Sequence, residues 1–211
     1  MSHPAPRIPS RTLRRLVAVL FLVNVVLLGI AVFQSAAWAT RPLGAAPGER
    51  LDALPSPDGA VTEADGAMPE GVGAFDDRYP GIANLDAALR QALRDATADA
   101  SADGLSLEVT SGWRSPEYQE QLLREAVAEY GSADEAARWV ATAETSAHVS
   151  GTAVDVGPVD GWLWLSQHGF EYGLCQVYGN EPWHFELRPE AVDGGCPAGY
   201  ADPTEDPRMQ P

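Results

Sequence analysis

Positive charge is scarce in this chain. Among its 211 residues are 14 Lys+Arg, all of them arginine, against 30 Asp+Glu, for a formal net charge of −16. So acidic a chain repels phosphate backbones and cannot gain affinity by releasing their counterions, which excludes nucleic acid as a partner. Cysteine is almost missing too. Cys175 and Cys196 allow one bridge, which in an oxidising compartment would add roughly 3 kcal/mol; otherwise they are two unrelated thiols. Histidine occurs only at positions 3, 148, 168 and 184, so any imidazole chemistry has few places to reside. What is plentiful is apolar: 45% hydrophobic against 21% charged residues, enough for a core and contrary to an intrinsically disordered chain. The length allows one compact domain with extensions.

The first extension is a targeting segment, residues 1–39. Arg7, Arg11, Arg14 and Arg15 precede an apolar run from Leu16 to Phe33, interrupted only by Asn24 and Gly29. A positive flank before such a run keeps the arginines cytoplasmic and sends the remainder across the membrane. Ala37-Trp38-Ala39 fits cleavage of a signal peptide, whereas a run of about 18 residues also suffices for a retained transmembrane anchor. Either way the domain that follows is extracytoplasmic, secreted or membrane-anchored. Residues 40–80, with Pro55-Ser56-Pro57-Asp58-Gly59, have neither strand nor helix period and read as a disordered linker. Residues 199–211 read as a disordered tail.

Between them, residues 81–198 carry regular patterns. Leu85, Ala88, Leu89, Ala92, Leu93 and Ala96 recur at helical spacing within 82–100, with Asn84 as the expected N-cap. Residues 105–110 alternate as a half-buried strand does. Ser115-Pro116 opens a helix to about Tyr130, and Ser132 with Glu135 opens a shorter one. Strands are expected at 152–156 and 183–187, with a helix at 161–168 stopped by Gly169. The fold class is α+β: a small antiparallel sheet with flanking helices.

Two segments concentrate reactive side chains. In Ser146-Ala147-His148-Val149-Ser150-Gly151-Thr152-Ala153-Val154-Asp155, a loop histidine precedes a carboxylate placed in an apolar strand. A carboxylate there is either bound to a cation or paired within the fold, for example capping a turn. In Glu181-Pro182-Trp183-His184-Phe185-Glu186-Leu187, alternation sets Trp183, Phe185 and Leu187 on one face and His184 with Glu186 on the other, towards a cleft. Two His and one carboxylate are a recurrent zinc set that leaves a position open for water, and an unligated glutamate nearby can take that water's proton. Glu181 and Glu186 read alternatively as solvated surface charge. Arg114, at a strand end before a helix, suits a developing oxyanion, or simply pairs with an acidic neighbour.

Taken together, Ser111-Gly112-Trp113-Arg114-Ser115 with Gln119, Ser146 to Asp155, and Glu181-Pro182-Trp183-His184 resemble the zinc D-alanyl-D-alanine carboxypeptidases and dipeptidases related to the vancomycin-resistance enzymes, the M15 peptidases. The resemblance spans roughly Leu85 to Pro189. It implies a small α+β domain holding one zinc through His148, Asp155 and His184, with Glu181 as general base and then acid and Arg114 as oxyanion partner. Ser146 and Gln119 would bind substrate. The implied activity is hydrolysis of the terminal D-alanine from peptidoglycan stem peptides ending in D-Ala-D-Ala. An endopeptidase cutting stems internally, and a zinc-containing wall-binding module without catalysis, are the alternatives. The chain departs from the pattern at Glu186, where carboxypeptidase relatives often carry a basic residue soon after the second histidine. The Cys175–Cys196 pair lies outside the pattern.

Overall fold

A computed structural model describes residues 60–209. The expected targeting segment and the first part of the expected linker lie outside the described residues; among the described residues no helix is long and apolar enough to cross a membrane.

Short helix α1 (Pro80–Ala83) leads to the long helix α2 (Ala87–Ala102), followed by strand β1 (Glu108–Ser111). Helices α3 (Pro116–Tyr130) and α4 (Ala133–Ala136) come next, then β2 (Ala153–Gly157) and α5 (Val159–His168). Strands β3 (Leu174–Gln176) and β4 (His184–Leu187) and the short α6 (Ala191–Gly194) complete the order. The four strands form one antiparallel sheet in the order β1-β2-β4-β3, giving the α+β architecture expected.

Helix α2 buries Leu89, Leu93, Ala96 and Ala100, residues three or four apart and hence on one face, against Val154 and Val156 of β2, Phe185 of β4 and Leu174 of β3. Because strand side chains alternate, their neighbours Ala153, Asp155, His184 and Glu186 all face the opposite side. β2 is buried along its whole length, so that opposite side is also covered.

Ser115 caps α3 by accepting from the Tyr118 amide at 3.1 Å, with Pro116 in the first turn, and Ser132 caps α4 through the Glu135 amide at 3.2 Å. The expected cap Asn84 is corrected to Asp86, whose carboxylate accepts from Ala88 and Leu89 at 2.9 and 3.2 Å. The chain turns between α1 and α2 because the Asp86 amide donates to the Gly151 carbonyl at 2.8 Å. Gly151 has φ +72°, and a Cβ there would strike the Asn84 carbonyl, so this close approach requires glycine. Strand β3 had no sequence signal and is an addition.

Both expected disordered stretches need correction within the described residues. From residue 60 the linker belongs to the fold: Val72 and Ala74 are in the core, the Val72 carbonyl accepts from the Val109 amide at 2.8 Å, and the Asp65 carbonyl accepts from the Ser115 amide at 2.8 Å. It lacks periodicity because it lies as coil across β1 and the start of α3. The tail folds too. Tyr200 bridges Tyr178, two 3-10 turns cover Pro203–Glu205 and Pro207–Met209, and Asp206 is fully buried.

A Cys175–Cys196 disulfide ties this tail to β3, closing a loop 21 residues apart in sequence. Replacing both cysteines by alanine is expected to lower unfolding free energy by about 3 kcal/mol, read by urea denaturation; a change below about 1 kcal/mol would show that the tail is held without it.

Candidate metal centre and active site

Sheet register builds half of the site. Asp155 of β2 stands directly opposite His184 of β4, so their side chains emerge together on one face. A bulge between Val109 and Ser111 resets β1 so that Ser111 also meets Asp155, bringing Arg114 within reach. His148 arrives from the loop before β2. Its carbonyl accepts from the Arg114 amide at 3.2 Å, and its Nδ1 lies 2.8 Å from the Gly112 carbonyl oxygen. A Cβ on Gly112 would overlap the Gly81 carbonyl, so only glycine lets β1 end close enough to α1 to offer that oxygen.

Three donor atoms converge. His148 Nε2 and His184 Nδ1 are 3.3 Å apart, and Asp155 Oδ1 is 3.4 Å from the first and 3.2 Å from the second. The outer nitrogens are engaged elsewhere: His148 Nδ1 donates to Gly112, and His184 Nε2 lies 3.4 Å from Glu186 Oε1. Three lone pairs therefore face one another, which is repulsive unless a proton or a cation lies between them. A tetrahedral ion with bonds of about 2.0 Å requires donors about 3.3 Å apart, and His, His and carboxylate are donors zinc accepts. The residues fit a zinc ion, and they are the described residues that form a group able to hold a metal.

Around this triad the electrostatics divide. Burial opposes a charge on Asp155, but His148, His184 and Arg114 outweigh it and hold its carboxyl well below the usual range. Burial and the nearby Arg114 charge push His148 down. His184 is raised to about 9, because Asp155 and Glu186 overcome the effect of burial. Glu181 goes the other way from the usual carboxylate: burial lifts it to about 7. Its Oε2 lies 3.8 Å from His184 Nδ1 and its buried Oε1 has no hydrogen-bond partner.

Arg114, Ser146, Gln119, Glu181 and the triad line one cleft of about 260 Å³, together with the exposed Trp139 and Trp183. The structure thus brings into this cleft every residue singled out from the sequence for catalysis, metal or substrate, but not Glu186, which lies beneath His184, nor the cysteines, which lie in β3 and the tail. Gln119, in the cleft wall, is buried; its carbonyl oxygen accepts from Arg114 Nη1 at 3.1 Å and its amide donates to the Ala141 carbonyl at 2.9 Å, so it also braces the arginine. Two details are corrected. Trp183 precedes β4 and is exposed, leaving only Phe185 and Leu187 on the core face. Glu186 is neither surface charge nor open to the cleft: it is 1% exposed beneath His184. Sequence reasoning missed Arg208, which binds Glu186, and Asp206 and Tyr178, which hold Arg208 in a chain of bonds; no spacing links them to Glu186.

The sequence profile of VanY, described as D-alanyl-D-alanine carboxypeptidase, matches residues 83–190. The chain belongs to the VanY family. A curated relative, a D-alanyl-D-alanine carboxypeptidase of Enterococcus faecalis (strain ATCC 700802 / V583), is 33% identical over 103 aligned positions that take in 36% of this chain and 38% of that protein. The chain thus spans well under half the length of this curated relative. Two solved structures are also similar. A mutant vancomycin-resistance D,D-pentapeptidase VanY in complex with Zn(II) is 28% identical over 53% of this chain and 75% of that one, with a TM-score of 0.48. A VanYB complex with D-alanine-D-alanine is 30% identical over 51% of this chain and 74% of that one, also at 0.48. The VanY match takes in the whole triad, Glu181 and Arg114, and it ends before the tail.

Raising Glu181 from the ordinary 4.5 to about 7 means the folded protein holds a proton that the unfolded chain releases between those values. Stability therefore falls as pH rises through that window, by on the order of 3 kcal/mol from this group. In chelator-treated protein, wild type should lose stability relative to Glu181→Gln from pH 4.5 to 7. A difference between the two that stays flat across this range contradicts the assignment.

Proposed function

We propose that this protein is a zinc-dependent D-alanyl-D-alanine carboxypeptidase, acting outside the cytoplasm on peptidoglycan stem peptides that end in D-Ala-D-Ala. The observation that carries the reading is the three donors spaced 3.2–3.4 Å apart beside the unpartnered buried oxygen of Glu181. Membership of the VanY family supports the substrate class.

His148, Asp155 and His184 would hold the ion, which when bound supplies Lewis acidity to a water and to the scissile carbonyl. Glu181 takes the proton of the attacking water and returns it to the departing amine of D-alanine. Its burial suits both steps, because a carboxyl lifted to about 7 gains and loses a proton readily near neutral pH. Arg114 stabilises the charge growing on the carbonyl oxygen. Of its five N–H groups three go to Ser111, Gln119 and Asp155, which fix the guanidinium and leave two to donate into the cleft. Ser146, buried at the cleft wall, and the two tryptophans would line the path of the stem peptide.

Purified full-length chain should contain one zinc and release free D-alanine from a stem pentapeptide. Glu181→Ala should retain zinc and lose about 10²–10⁴-fold in kcat. Fragments from cleavage within the stem, without free D-alanine, would identify an endopeptidase, and a wild type that binds muropeptides and leaves them uncut would identify a non-catalytic wall-binding module.

A further inference from the structure

Glu186 is a buried carboxylate that the hydrolysis does not use. Directly below His184 on the same face of β4, it places Oε1 3.4 Å from His184 Nε2. Three arginine donors hold it: Arg188 Nη2 at 2.8 Å and Arg208 Nη1 at 2.6 Å, both on Oε2, and Arg208 Nη2 at 3.2 Å on Oε1. Arg208 thus grips both oxygens. It is itself set by Asp206, whose other bond comes from the Tyr178 hydroxyl at 2.9 Å, and the Tyr178 ring centroid lies 5.2 Å from that of His184. The tail therefore reaches the His184 imidazole by two routes, one through Glu186 and one through Tyr178.

Arg208 is partly exposed, but the segment that carries it is pinned at several points. Cys175, the residue opposite Glu186 in the β3–β4 register, is bonded to Cys196. Tyr200 bridges Tyr178, and Arg138 binds Asp202 at 2.8 Å. These fixings bring Arg208 back over the sheet from a segment beyond residue 190, where the family match ends.

A histidine can ligate through Nδ1 only if its proton resides on Nε2, and an acceptor at Nε2 both keeps it there and sets the ring's orientation. A carboxylate can do this from a buried position only if its own charge is compensated. We infer that Arg208 is a positioning residue of the metal centre, clamping Glu186 so that it accepts from His184 Nε2 and presents Nδ1 to the ion. The inference rests on the proposed zinc site. It also accounts for an acidic residue two positions after His184: the positive charge is supplied from the tail.

The test uses the full-length chain with Arg208→Gln, Glu186→Gln and both together. Zinc dissociation constants come from competition with a chromogenic chelator, ligand geometry from the visible bands of the cobalt-loaded protein, and folding from the unfolding midpoint after chelator treatment. Each single variant should weaken zinc binding by about 10–100-fold and shift the cobalt bands. The double variant should bind no more weakly than the worse single, since both break one clamp. Zinc affinities within twofold of wild type, losses that multiply in the double variant, or cobalt bands unchanged while only the unfolding midpoint drops would each overturn the inference. A wild type that binds neither metal would instead remove the zinc site itself, and this inference with it.

Discussion

The antiparallel pairing of β2 with β4 is the constraint on which the site depends. Asp155 opposite His184 sets two donors side by side with no contribution from loop conformation. A slip of one residue in either strand would turn its own donor into the core and bring Val154 or Phe185 out in its place. The apolar set of those strands, packed on α2, therefore specifies the register and the chemistry at once. Only His148 must be delivered separately, and it is held at both its backbone and its ring, through Arg114 and Gly112.

Electrostatics complete what register begins. In a chain with 30 Asp+Glu, the few arginines near the cleft are placed where carboxylates are buried. Arg114 lies 3.0 Å from Asp155, and Arg188 and Arg208 hold Glu186. Asp155 and Glu186 stay ionised as a result, Glu186 near 2 despite burial because His184 and Arg208 offset it. Glu181, by contrast, accepts no hydrogen bond on Oε1 and is lifted towards neutrality. Glu181 and Glu186, close together in sequence, are thus shifted in opposite directions according to their partners.

Much of this was legible from local signals. Ser115-Pro116 and Ser132 with Glu135 mark helix starts because capping is written in adjacent residues. Asp155 between two valines showed its anomaly because strand alternation is local as well. The failures share a cause. The cap falls at Asp86 and not at Asn84 because the turn there is imposed by Gly151, over sixty residues away. β3 is three residues long and borrows its order from β4 and the disulfide. The tail carries Pro203, Pro207 and scattered acids, the composition of a loose end, yet long-range bonds from Tyr178, Arg138 and Glu186 fold it. Glu186 looked like surface charge because its partner Arg208 has no periodic relation to it.

The most direct test of the central claim is a crystal structure of the full-length chain grown with zinc, with anomalous data on both sides of the zinc edge. One peak is expected, bonded at about 2.0–2.2 Å to His148 Nε2, His184 Nδ1 and the Asp155 carboxylate, with Glu181 beside it and not bonded. A peak elsewhere, or one bonded to His184 through Nε2, would contradict that claim.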